Sequence, residues 1–152
     1  MRPTRPGAGL LLGMAATLLV SGCGGSTAPA LVDPAGAWVL ETVDGRALPH
    51  AYADTNGPVV SSGMVLADTL VLLEGEQGER LTWLDDGSGS YRLSAPILWG
   101  QPRGPSSDSV TVTEIIRVGG VHHPGVVRGD RLTLRIEYVA RPGTYVYSRA
   151  PR

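Results

Sequence analysis

A chain of 152 residues with 13 basic and 14 acidic side chains carries a net charge of −1, and every base is an arginine. That near-balance excludes a protein built to grip nucleic acid or a strongly anionic surface, which needs a clear excess of positive charge. One cysteine excludes an intramolecular disulfide framework, and the length suits a single domain with its own core. The first element in chain order is a short positive segment, Arg2 and Arg5, followed by the uncharged run Leu10–Val20. Eleven apolar or small residues make the h-region of an export signal and are too few to span a bilayer.

Val20-Ser21-Gly22-Cys23 follows directly and resembles the bacterial lipobox: an aliphatic residue, two small residues, then cysteine. The resemblance implies that residues 1–22 are a cleaved lipoprotein signal peptide. Cys23 would then be the lipidation site, its thiolate taking the diacylglyceryl group. An exported protein with a lone cysteine and no disulfide partner fits that role better than a free thiol. Residues 23–35, rich in Gly, Ser, Pro and Ala, read as a flexible tether between lipid and domain. Removing Arg2 and Arg5 leaves 11 arginines against 14 carboxylates, a net charge of −3. The expected partner is therefore the membrane through the Cys23 lipid, with no nucleic acid. Gly24 lacks the aspartate that retains many such proteins at the inner membrane. The expected address is the cell envelope, at the outer membrane if the organism has one.

Residues 36–150 carry almost no helical periodicity. They consist of short runs rich in Val, Leu, Thr and Tyr, broken by Gly, Pro and Asp. Eight strands are expected: 37–43, 65–73, 79–84, 90–99, 109–118, 121–128, 131–140 and 144–149, with 44–63 as one irregular insertion. Turn signals between them make an all-β meander of antiparallel hairpins. One buried face per strand suits a barrel or a sandwich, and closure into a barrel hides the edges. The faces assigned to the core are Leu132/Leu134/Ile136/Tyr138, Tyr91/Leu93/Ala95/Ile97, and Leu81/Trp83 opposite Arg80 and Thr82. Glu114 shares its parity with Val110, Val112, Ile116 and Val118. Either it faces a polar lumen, or a bulge near Ile115 turns it outward; the cost of an unpaired buried carboxylate favours the bulge.

Gly36-Ala37-Trp38 resembles the Gly-x-Trp signature of lipocalin and calycin barrels. The longer run Gly36–Pro49 and the terminal Tyr145-Val146-Tyr147-Ser148-Arg149 are similar to bacterial lipocalin-like lipoproteins. The resemblance implies a single small antiparallel β-barrel of about eight strands over residues 36–150. It also implies that Arg149 packs across Trp38 at the closed end, with Gly36, Trp38 and Arg149 as the structural signature. The contact would be a cation–π interaction with hydrogen bonds to loop carbonyls.

No catalytic set emerges from the residues. There is no Gly-x-Ser-x-Gly elbow, P-loop or dinucleotide fingerprint, so neither enzyme nor cofactor is expected. His122 and His123, as strand neighbours, point to opposite faces and cannot share one metal ion; both read as surface histidines, as does His50. Asp85-Asp86-Gly87-Ser88-Gly89 and Arg128-Gly129-Asp130 read as turns. Glu114, Tyr145 and Tyr147 are the candidate ligand-binding residues. The two tyrosines have two readings, an aromatic pair packing against Trp38 or hydroxyls at the bottom of a pocket. The function expected is a monomeric, non-catalytic, membrane-anchored lipoprotein binding a small apolar ligand. The alternative is an envelope protein-interaction or inhibitor module acting through loops 44–63 and 100–108.

Overall fold

A computed structural model describes residues 32–54, 61–102, 108–137 and 141–151. The expected signal peptide, Cys23 and the first part of the expected tether lie outside the described residues, as do Tyr138 and most of loop 100–108. Ten strands occur in chain order: β1 (Gly36–Val43), β2 (Arg46–Ala47), β3 (His50–Asp54), β4 (Ser61–Leu72), β5 (Gln77–Asp85), β6 (Ser90–Gly100), β7 (Ser109–Ile116), β8 (Gly119–Arg128), β9 (Arg131–Ile136) and β10 (Gly143–Arg149). Eight of them close into an antiparallel barrel, in the order β1-β10-β9-β8-β7-β6-β5-β4 and back to β1. β2 and β3 extend it at one end.

β1 makes the closure. Trp38 lies opposite Arg149 on one side and Leu70 on the other, joining strands more than 100 residues apart. The expected contact between the ends is present: the Arg149 guanidinium carbon sits 4.3 Å from the centroid of the Trp38 ring. Trp38 is fully buried, and its Nε1 donates to the Pro34 carbonyl at 2.8 Å. Arg149 donates from Nη1 to Ala35 O (2.7 Å) and from Nη2 to Asp33 O (2.6 Å). Gly36 is needed because that guanidinium crosses it. A Cβ there would meet Arg149 Nη1 at 2.9 Å, and the φ of +135° already disfavours any L side chain. Asp44 and Gly45, at φ of 49° and 75°, form the tight turn from β1 to β2 that both positive angles require.

These bonds correct the expected tether. Residues 32–35 do not hang free but are strapped across the closed end, where Gln101 Nε2 also donates to Val32 O. The insertion is corrected too. Stretch 44–63 holds β2, β3 and the first residues of β4, with β3 paired to β4 from His50↔Val65 to Asp54↔Ser61. β7 stops at Ile116, short of its expected end, while the end expected for β9 lies outside the described residues; Val118 projects from the β7–β8 turn at 87% exposure.

Two faces differ from expectation. On β5 the buried residues are Arg80, Thr82 and Leu84, while Leu81 and Trp83 are half-buried on the outer face. Hydropathy pointed to the opposite parity. The inward charge is tolerated because Asp68 of β4 lies opposite Thr82 on the same face and pairs with Arg80. On β6, Tyr91 and Leu93 have inward parity but are exposed. β7 pairs with β6 only from Ile97↔Glu114 onward, and Pro96, which has no N–H, marks the point where that ladder stops. Leu132, Leu134 and Ile136 line the core as expected. The favoured bulge near Ile115 is absent: β7 pairs with β8 without a shift from Ser109 to Ile116. The register shifts fall instead in β1, between Leu40 and Thr42, and in β4, between Val65 and Ala67.

Candidate functional site

Four strands on one side of the barrel and β10 on the other aim polar side chains into the middle of the lumen. Asp68, with no exposed surface, comes from β4; Arg80 and Thr82 come from β5. Glu114 projects from β7, His123 from β8, and Tyr145 and Tyr147 from β10. Asp68 Oδ2 accepts from Arg80 Nη2 at 2.7 Å, Arg80 Nε at 2.8 Å and Thr82 Oγ1 at 3.0 Å. Its other oxygen accepts from the Tyr147 hydroxyl at 3.4 Å. Arg80 Nη1 reaches Glu114 Oε2 at 3.2 Å, and its guanidinium carbon lies 5.4 Å from the Tyr145 ring centroid. One guanidinium thus serves two carboxylates and an aromatic face, which is the fork geometry that arginine supplies and lysine cannot.

Burial opposes the charge on Arg80, but Asp68 outweighs it and holds the guanidinium proton well above its ordinary range. Burial, reinforced by Asp68, pushes the Tyr147 hydroxyl well up, so it remains a donor. Glu114 is held below its ordinary value of 4.5 by the neighbouring His123 and by Arg80, against the effect of burial. His123 Nε2 stands 3.7 Å from Glu114 Oε2, an ion-pair separation and longer than a hydrogen bond. Neither of its ring nitrogens has a hydrogen-bond partner, although the residue is only 1% exposed.

Glu114 therefore faces the lumen, which overturns the favoured outward reading, and it is not unpaired. Because folding lowers its pKa, it contributes stability above pH 4.5, and that contribution fades as the pH falls through its lower native value. Glu114→Gln is expected to be less stable than the native chain at neutral pH, with the difference closing below pH 4.5. Urea denaturation of both proteins across that range checks it.

Tyr145 and Tyr147 are buried in the same core cluster as Trp38. The rings stack on each other at 6.5 Å between centroids, 24° from parallel, and face the charged layer. Tyr145 is held by its hydroxyl, which donates to Arg141 O at 3.2 Å. Above them, at the open end, a cleft of about 190 Å3 is lined by His50–Ala53, Arg141, Pro142 and Tyr145. The Arg141 guanidinium carbon lies 5.8 Å from the Tyr52 ring centroid, and its Nη1 is sealed from solvent with no hydrogen-bond partner.

Sequence reasoning missed Asp68, Arg80, Thr82, His50, Tyr52 and Arg141 as site residues. Asp68 carried a signal: it is the only charge in the apolar run Met64–Leu73. His122 and His123 do point to opposite faces, but His123 is buried, correcting its surface assignment; His122 is exposed and bonded to Thr113 Oγ1 at 2.8 Å. Among the described residues no three His, Cys, Asp or Glu side chains gather as a metal site. The Asp85–Gly89 carboxylates hold their own turn, Asp85 accepting from Gly87 N and Asp86 from Ser88 N.

No family model, curated protein or solved structure matches the chain. Fold and site together define a small antiparallel barrel with one end sealed by Trp38 and Arg149, a charged layer in mid-lumen, and a cleft at the other end.

Proposed function

We propose that this is a membrane-anchored, non-catalytic binding barrel of the cell envelope, lipidated at Cys23, that takes a small ligand at its open end. The calycin-type resemblance belongs to the same reading and is supported by the Arg149–Trp38 contact. The observation that carries the proposal is the open-end cleft, where Arg141 has a buried, unpaired nitrogen beside two tyrosine rings. A guanidinium beside two aromatic rings suits an anionic group, whose oxygens match its fork of N–H donors. A cavity of about 150 Å3 holds benzene, so the cleft suits a ring-sized body carrying an anionic group. This narrows the wholly apolar ligand expected from sequence. Arg80, beneath Tyr145, is already engaged by Asp68 and Glu114, so Arg141 is the cation that the cleft offers.

Mass spectrometry of protein extracted from its own membrane tests both halves. The N-terminal peptide is expected to begin at Cys23 and carry a lipid mass, and Cys23→Ser is expected to abolish it. Under native conditions a small ligand should remain bound. An unmodified Cys23 peptide would refute the anchor.

A second reading, an envelope protein-interaction module, is favoured by one observation. Among the described residues, β6 from Ser90 to Pro96 has no strand partner on its β7 side, and Tyr91 and Leu93 stand exposed on it. Such an edge accepts an added strand.

A further inference from the structure

The strap at residues 32–35 fixes where the chain leaves the barrel, and hence how an anchored barrel must sit. Val32, Asp33, Pro34 and Ala35 all give their carbonyls to closed-end donors: Gln101, Arg149, Trp38 and Arg149 again. Pro34 is buried in that contact. Nine Cα steps separate Cys23 from Val32, a distance of at most roughly 30 Å at full extension. A strand of ten residues, tilted as in a closed barrel, rises roughly 25 Å. With the open end against the membrane, Val32 would stand about that far from the lipid, and the link would have to be almost straight. With the closed end down, the same link has slack.

The closed end also has a surface suited to lipid. Leu73 is 55% exposed in the β4–β5 turn and Leu98 is 48% exposed on the outer face of β6. They are neighbours through Gln77, which lies opposite Leu98 and whose carbonyl accepts from Leu73 N at 2.8 Å. Trp99 sits beside them, half-buried, its Nε1 bonded to Leu73 O at 2.9 Å and Gln77 O at 3.1 Å. An indole with its N–H satisfied and its ring partly exposed beside two leucines suits the boundary between headgroups and acyl chains. Glu74 and Glu76 in the same turn are exposed and would be repelled by an anionic surface, so the matching partner is a zwitterionic one.

We propose that the closed end of the barrel rests on the lipid surface through Leu73, Leu98 and Trp99, which turns the cleft of His50, Tyr52, Arg141 and Tyr145 away from the membrane. The proposal rests on anchoring at Cys23, but its test does not depend on natural lipidation. The chain from Cys23 onward has one thiol, which is coupled to a maleimide-bearing lipid in phosphatidylcholine vesicles. Brominated phosphatidylcholine then quenches any tryptophan at the interface. Trp83 lies towards the open end, opposite Ala67 and Arg92, whereas Trp38 and Trp99 lie at the closed end. Trp83→Tyr is expected to keep the quenching, and Trp99→Tyr to reduce it at least twofold. The surface variant Leu73→Glu/Leu98→Glu should reduce it by a similar factor with an unchanged near-ultraviolet circular dichroism spectrum. Equal quenching in the two tryptophan variants, loss of quenching only in Trp83→Tyr, or no quenching of the coupled native chain would overturn the orientation. None of these bears on whether cells lipidate Cys23, which the mass of the native N-terminal peptide decides separately.

Discussion

Trp38→Ala is expected to lower the stability of the barrel by about 3–5 kcal/mol, the usual cost of emptying a large aromatic core site. Trp38 is fully buried at the one place where the first strand meets both the last strand and β4. Its loss would remove the core packing, the bond to Pro34 O and the face on which Arg149 rests. Arg149→Ala should cost less, about 1.5–3 kcal/mol for the charge-assisted bonds to Asp33 O and Ala35 O. The two losses should not add. A double-mutant cycle by urea denaturation is expected to show coupling of about 0.5–2 kcal/mol, since each residue holds the other in place. Additive losses would mean that Trp38 and Arg149 act independently and that the closure rests on the β1–β10 and β1–β4 ladders.

The second large effect lies in the lumen. Arg80→Leu leaves Asp68 with no exposed surface, no cationic partner and only Thr82 and Tyr147 as side-chain donors. Breaking a buried pair from one side costs about 3–5 kcal/mol, mostly because a charge is stranded. Replacing both members removes that charge, so Asp68→Leu/Arg80→Leu is expected to be clearly more stable than Arg80→Leu alone. Equilibrium unfolding of the two variants checks the order. If the double variant were the less stable, the cluster would be worth more to the fold than packed leucines, contrary to the general behaviour of buried ion pairs.

Much of this architecture was legible in the residues because the strand signals are local. Asp44-Gly45, Asp85–Gly89 and Gly129-Asp130 fall where turns occur, and Leu132, Leu134 and Ile136 alternate as a half-buried strand must. The Gly36/Trp38/Arg149 signature was legible for a different reason: its parts are tied together by one guanidinium that crosses Gly36 and covers Trp38. The charged layer was not legible, because parity alone does not say which face of β5 looks inward. Leu81 and Trp83 outweigh Arg80 and Thr82 in hydropathy, and only the presence of Asp68 across the ladder reverses the preference. Glu114 was misjudged on the same ground: a buried carboxylate is costly when alone, and its partner lies 34 residues away. Arg141 and Tyr52 meet only because β3 folds back along β4, and the sequence of stretch 44–63 does not announce a strand there.

The central claim is that the open end binds a small anion through Arg141, and a matched pair of probes addresses it directly. Benzoate and benzyl alcohol share a ring and differ in the carboxylate. In a nuclear magnetic resonance titration of the arginine side chains and tyrosine rings, benzoate is expected to shift Arg141, Tyr52 and Tyr145 saturably. Benzyl alcohol is expected to shift them little, and Arg141→Gln should remove the response to benzoate without unfolding the barrel. Equal responses to the two probes, or a benzoate response that survives Arg141→Gln, would contradict the account, as would shifts confined to residues outside the cleft.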